Sequence, residues 1–310
     1  MGVVAHDHDH VHAVDPEADR TRLIIALGLI LALMAGEVVA GLLASSLALL
    51  SDAAHMLTDA GALVLSLVAI RLAKRPAKGA MTYGFRRVEI LSAQANGITL
   101  LVLGAFITYE AIRRIVEPPD VEGGVVLIVA IVGIAVNVAA TLVLAGANRT
   151  SLNIEGSFQH ILTDLYAFIG TAIAGLIVLT TGFAQADAIA SLVVAALMFR
   201  AAYSLLIASG RVFLEAAPEG VDVEAIGRDL AAQPNVVEVH DLHVWEVTSG
   251  FVALSAHVTV ERDSDCHAIR RELRDRLHDE WGLEHTTLQV DHREREPELI
   301  PAIEDRREQS

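Results

Sequence analysis

The chain has 310 residues, of which 53% are hydrophobic and 20% charged, and its formal net charge at pH 7 is −16. That apolar content exceeds what an ordinary soluble domain carries, and the acidic balance excludes a nucleic acid as partner, because binding a phosphate backbone needs a basic face. The one cysteine, Cys266, excludes an internal disulfide and a thiolate metal cluster, so any metal must be held by histidine and carboxylate.

The N-terminus reads His6, Asp7, His8, Asp9, His10, His12, without the basic start and apolar run of a signal peptide. Residues 1–20 are expected to be a disordered tail rich in His and Asp, serving either local metal capture or solvation alone. A bilayer core of about 30 Å needs about 20 apolar residues per helix. Six stretches meet that length, at 22–44, 46–72, 88–112, 123–146, 153–180 and 185–209. Together, residues 21–209 are expected to form a six-transmembrane-helix bundle in membrane lipid, since closed helices satisfy their own backbone groups. Arg71, Lys74, Arg75, Lys78, Arg86 and Arg87 follow the second stretch and Arg149 the fourth, which puts the even-numbered loops and both termini in the cytoplasm.

The last hundred residues, 211–310, hold 11 Lys/Arg against 23 Asp/Glu, so the acidic charge is concentrated after the bundle. Periodicity predicts a helix at 221–233, strands at 235–247 and 251–261 around Thr248-Ser249-Gly250, a helix at 263–281 and a strand at 284–291. The order αββαβ predicts a two-layer α+β domain over 210–292. Alternation puts His240 and Val244 on one strand face and His243 on the other, packed beside Trp245. Residues 293–310 form a charged tail.

An ionisable side chain in hydrocarbon costs about 2.5–3.5 kcal/mol even on permissive scales, so each needs a compensating role. The second stretch holds Asp52, His55 and Asp59, whose spacings of three and four place them on one helical face. The fifth repeats the pattern with His160 and Asp164. Either HxxxD turn alone is explained by a His–Asp hydrogen bond between helices. Two copies without a nearby base make a bound cation the simplest counter-charge, and two imidazoles with two carboxylates are the ligand set of a tetrahedral zinc site. Bringing His160 level with His55 requires the fifth helix to extend through Asn148–Ser157. Asp52, one turn outward, is a fifth ligand, an exit-path carboxylate or a helix cap. Glu37, Gln94, Asn96 and Asn137 read as interhelical hydrogen bonders or ligands, with Glu37 the first to probe as a path or accessory residue.

The run Ser46-Leu-Ala-Leu-Leu-Ser-Asp52-Ala-Ala-His55-Met-Leu-Thr-Asp59, followed by Tyr83-Gly-Phe-Arg-Arg-Val-Glu89, resembles the zinc-exporting branch of the cation diffusion facilitator family over nearly the whole chain. The resemblance implies that His55, Asp59, His160 and Asp164 hold the transported ion, with histidine at 55 and 160 pointing to zinc over manganese or iron. It also implies that the last domain is a ferredoxin-like cytoplasmic module that dimerises and binds metal through His240, His257, His267 and Asp291. Two departures stand out. Leu165, Tyr166 and Phe168 follow Asp164 where the family has small residues, and the loop after the second helix carries Lys74, Lys78, Met81 and Phe85 in place of ligands, so no metal site is expected there.

The resulting expectation is a homodimeric secondary transporter of the bacterial inner membrane. It exports Zn2+, with Co2+ and Cd2+ as further candidates, against protons by alternating access. No enzyme activity is expected, since HExxH is absent and four ligands leave no open position for water. The alternatives are a membrane-anchored metal sensor and a transporter of the same family preferring Mn2+ or Fe2+.

Overall fold

The computed structural model describes residues 16–43, 47–117, 123–183 and 185–293, without the side chains of residues 16, 40, 41, 43, 47–55, 123–126 and 187. The chain divides into two compact units, Met1–Leu214 with Val247–Gly250, and Glu215–Glu246 with Phe251–Ser310.

The first unit consists of α1 (Pro16–Leu43), α2 (Leu47–Ala73), α3 (Val88–Val116), α4 (Gly123–Ala145), α5 (Leu152–Thr181) and α6 (Ala186–Phe213). All six contain a segment long and apolar enough to cross a membrane. Each predicted helix is present. The largest difference is at α1, which begins six residues earlier than its apolar run because Glu17, Arg20 and Lys74 satisfy one another in ion pairs beyond the hydrophobic stretch. The expected tail over 1–20 therefore gives its last five residues to helix, and its remainder lies outside the described residues.

Two apolar cores organise the bundle. Leu23, Ile30, Met56, Leu63, Leu144, Ile154 and Ile161 pack α1, α2, α4 and α5 around one. Leu100 of α3 and Val194, Met198, Ala202 and Leu205 of α6 form the other, and α3 packs chiefly on α6. The apolar residues left outward, such as Leu142, Ile173 and Val193, are exposed in a pattern that lipid, not water, would cover. The start of α5 is set locally: Ser151 caps it by accepting from the Ile154 N–H at 3.3 Å, and Gly182 ends it in the left-handed conformation.

The second unit runs α7 (Val223–Ala231), β1 (Val236–Thr248), β2 (Phe251–Val260), α8 (Cys266–Trp281) and β3 (His285–His292), the predicted αββαβ order. The sheet order is β1-β2-β3. Ser249 and Gly250 alone join β1 to β2, a connection suited to an antiparallel pair. Strands β2 and β3 are parallel, with His257 opposite Gln289 and Thr259 opposite Asp291, and α8 supplies the crossover. Ile226 and Leu230 of α7 and Leu273 and Leu277 of α8 close one sheet face over Leu254, Ala256 and Val258. His257 and Thr259 alternate with these residues and stand on the opposite face.

A charged network ties the two helices of this unit together. The Arg276 guanidinium donates to both oxygens of Asp229, the closest contact being 2.7 Å, and the Trp281 indole N–H donates to the same carboxylate at 3.0 Å. The Arg276 hydrogen bond, aided by Trp281, holds the Asp229 carboxyl below its usual range. Stability from this lowered carboxyl is present above its unfolded value of about 3.9 and is lost as pH falls through the folded value. Arg276→Ala should cost about 1–2 kcal/mol, since the pair is only partly shielded from water. Denaturant unfolding followed by tryptophan fluorescence checks this, and the difference between variant and parent should shrink below pH 4.

Candidate metal centre

Asp59 on α2 and His160 and Asp164 on α5 meet inside the first unit. His160 is buried, and its Nε2 lies 2.8 Å from Asp59 Oδ1. One ligand atom from each of Asp59, His160 and Asp164 can be chosen so that all lie within 4.8 Å of one another. Ligands around a tetrahedral zinc stand roughly 3.3 Å apart for bonds of about 2.0–2.1 Å, so a modest contraction would seat an ion. His160 Nδ1 is buried with no hydrogen-bond partner among the described residues.

The pairing follows from helix geometry. His160 and Asp164 stand four apart on α5 and share a face. Met56, Ala60 and Leu63 bury the side of α2 next to Asp59 in the α1–α2–α4–α5 core, as Phe158 and Ile161 do for α5. The ions' side of each helix is thus fixed by its apolar side. His55 and Asp52 lie on α2 one and two turns before Asp59, and their side chains fall outside the described residues. Three of the four expected ligands are therefore placed together.

One expectation about α5 needs correction. The helix does not extend through Asn148. Residues 148–151 form the turn after α4, and α5 begins at Leu152. The levels meet by stagger instead: α2 continues fourteen residues past Asp59 whereas α5 starts eight before His160, or about 21 Å against about 12 Å at 1.5 Å per residue. Phe168 packs toward Gly133 of α4, and Tyr166 is exposed on the outside of the bundle.

Among the other intramembrane polar residues, Asn137 donates to the Gly133 carbonyl one turn earlier at 3.0 Å, which is an intrahelical bond where an interhelical one was expected. Glu37 is buried in α1.

In the second unit, His240, Asp241 and His257 form another group with one ligand atom each within 4.8 Å. The two imidazoles meet edge to face with centroids 5.3 Å apart, and His257 Nδ1 is 3.8 Å from Asp241 Oδ2. Asp241 has φ +49°, a left-handed conformation inside a strand. It breaks the alternation, so Val239 and Leu242 both pack on the core with two outward residues between them. His240 and Val244 consequently do not share a face, because Val244 is buried in the core, and His243 is exposed, not packed as a core histidine. Sequence alternation hid Asp241, and the adjacency of His240 and Asp241 was the only available signal. His267 and Asp291 stay outside this group: the His267 backbone N–H donates to the capping Asp265 at the start of α8, and Asp291 accepts from Gln289 at 2.8 Å.

Six long apolar helices followed by a small α+β unit make this a multi-pass membrane protein with a buried carboxylate–imidazole centre. The family described as cation efflux transmembrane domain matches residues 23–214, and that described as cation efflux protein, cytoplasmic domain, matches residues 218–293. The chain belongs to the cation efflux, or cation diffusion facilitator, family. A cadmium, cobalt and zinc/H(+)-K(+) antiporter of Bacillus velezensis is 36% identical over 92% of this chain and 91% of its own length. The metal cation efflux system protein CzcD of Cupriavidus metallidurans is 35% identical, covering 92% and 89%, and the zinc transporter ZitB of Escherichia coli is 37% identical, covering 93% of both.

Proposed function

We propose that this chain exports Zn2+, with Co2+ and Cd2+ as further substrates, in exchange for protons. The observation that carries this reading is the cluster of Asp59, His160 and Asp164, two carboxylates and an imidazole held by two membrane helices with no cationic side chain among them. His55, one turn from Asp59, completes four ligands. Neutral imidazole and ionised carboxylate bind a divalent ion, whereas their protonated forms do not, so loading displaces protons and protonation from the other side expels the metal. The similar proteins include a zinc transporter and a cadmium, cobalt and zinc antiporter, which supports the ion class.

The orientation puts the α2–α3 and α4–α5 loops and both termini in the cytoplasm of a bacterial inner membrane, as the basic residues of those loops favour. Residues 21–209 serve as the transport domain and residues 210–292 as a cytoplasmic domain that pairs two copies and binds metal through His240 and His257, with Asp241 beside them.

Purified protein in proteoliposomes should move Zn2+ against an imposed pH gradient and release protons in the opposite direction. Collapse of the gradient with a protonophore should abolish uphill movement. A chain that binds zinc tightly but moves none under any gradient would instead be a membrane-anchored sensor.

A further inference from the structure

The polar face of α5 does not end at His160. Asn153, Ser157, His160 and Asp164 follow one another at spacings of four, three and four, on one side of the helix. On α2, Ser66 lies two turns from Asp59 toward the end where α5 begins. The helices run antiparallel here, so each step from Asp59 along α2 is matched by a step back from His160 along α5. Ser66 accordingly meets Ser157 and Asn153. The two hydroxyls are 2.7 Å apart, the Asn153 amide donates to the Ser66 carbonyl at 3.1 Å, and Ser157 donates to the Asn153 carbonyl at 3.1 Å. All three residues are 0% exposed.

We propose that Ser66, Ser157 and Asn153 form the gate between the metal centre and the cytoplasm, closed in this structure and opened when α2 and α5 part. The proposal rests on the transport reading above. The seam lies on the only side of the centre where α5 is short, about 12 Å from its end, and its members fully exclude solvent. It is polar but carries no charge, so on opening it hydrates without offering a carboxylate that would trap the ion. Closure is also incompletely compensated. Asn153 Oδ1 in the seam, with Asn96 Nδ2 and Ser92 Oγ on the neighbouring α3, is buried without a hydrogen-bond partner among the described residues. Each such group favours opening, because water reaching it would supply the missing bond, and so it works against the bonds that hold the seam shut. An apolar seal of the same size would lack that counterweight.

The test uses the full chain in proteoliposomes with Cys266→Ser, Ser66→Cys and Ser157→Cys, so that the only two thiols replace the paired hydroxyls. Reduced, this variant should transport zinc within about twofold of the parent. Oxidised, it should cross-link and lose at least about tenfold of its flux, and reductant should restore it. Full cross-linking with flux retained overturns the proposal. Failure of the thiols to cross-link also overturns it, because a gate must visit the closed state in every cycle. Absence of zinc flux in the parent would instead sink the transport reading, so the two failures are distinguishable. As a second variant, Ser92→Ala removes one of the unpaired groups without touching a bond of the seam, and it should slow flux while leaving zinc binding at the centre intact. Unchanged flux in this variant counts against the gate.

Discussion

Asp164→Ala should abolish zinc transport, reducing flux in proteoliposomes at least about a hundredfold, while the variant folds as well as the parent. Groups that merely orient a metal ligand are worth 10–100-fold in affinity or activity, so deleting a ligand itself should exceed that range. The stability side has the opposite sign. A carboxylate inside a membrane bundle carries a desolvation cost of a few kcal/mol, and replacing it with a methyl group relieves that cost. Thermal unfolding in detergent should therefore show an unchanged or raised midpoint alongside lost flux. Asp164→Asn separates charge from shape and should fail in transport almost as completely. Full flux in Asp164→Ala would falsify the assignment of the centre, and loss of folding would mean that Asp164 is held for structure.

Gly133→Ala should destabilise the bundle by about 1–3 kcal/mol, the ordinary cost of overpacking a filled interior. A Cβ at this position would overlap Phe168 Cδ1 and stand 2.7 Å from its Cγ. The ring cannot yield by moving a flexible tip, because the clash reaches the atom nearest the backbone. Relief must come from α4 and α5 separating, and α5 carries His160 and Asp164, the latter one turn from Phe168. Zinc flux should fall together with stability. Phe168→Ala in the same chain should restore both, giving a coupling between the two sites that a double-mutant cycle measures. Additive losses would show that the helices do not meet here.

Much of this fold is legible in the sequence because lipid imposes a length and a polarity on each helix, and because His and Asp at i and i+4 have no inexpensive place in hydrocarbon. The duplication of HxxxD in α2 and α5 was enough to pair Asp59 with His160 and Asp164. What escaped has two physical causes. Helix ends are set by caps and stagger, so Ser151 starts α5 four residues later than the depth of His160 implied. Neutral polar residues leave a faint signal, because Ser66, Asn153 and Ser157 could each satisfy themselves within one helix, and only their partners across the interface reveal the seam. In the second unit, strict alternation was the wrong rule for β1, whose core residues Val236, Val239 and Leu242 stand three apart and whose backbone turns left-handed at Asp241.

That residue, Asp241, is the spare position of β1. Val239 and Leu242 already face the core across two outward residues, so removing Asp241 would bring them to the spacing of a plain strand, with Val239 still inward and His240 still outward. The apolar layer would keep both members, and what would go is the carboxylate beside the histidine pair. A lineage or a designer that trims the strand by this one position keeps the core and loses the third candidate ligand.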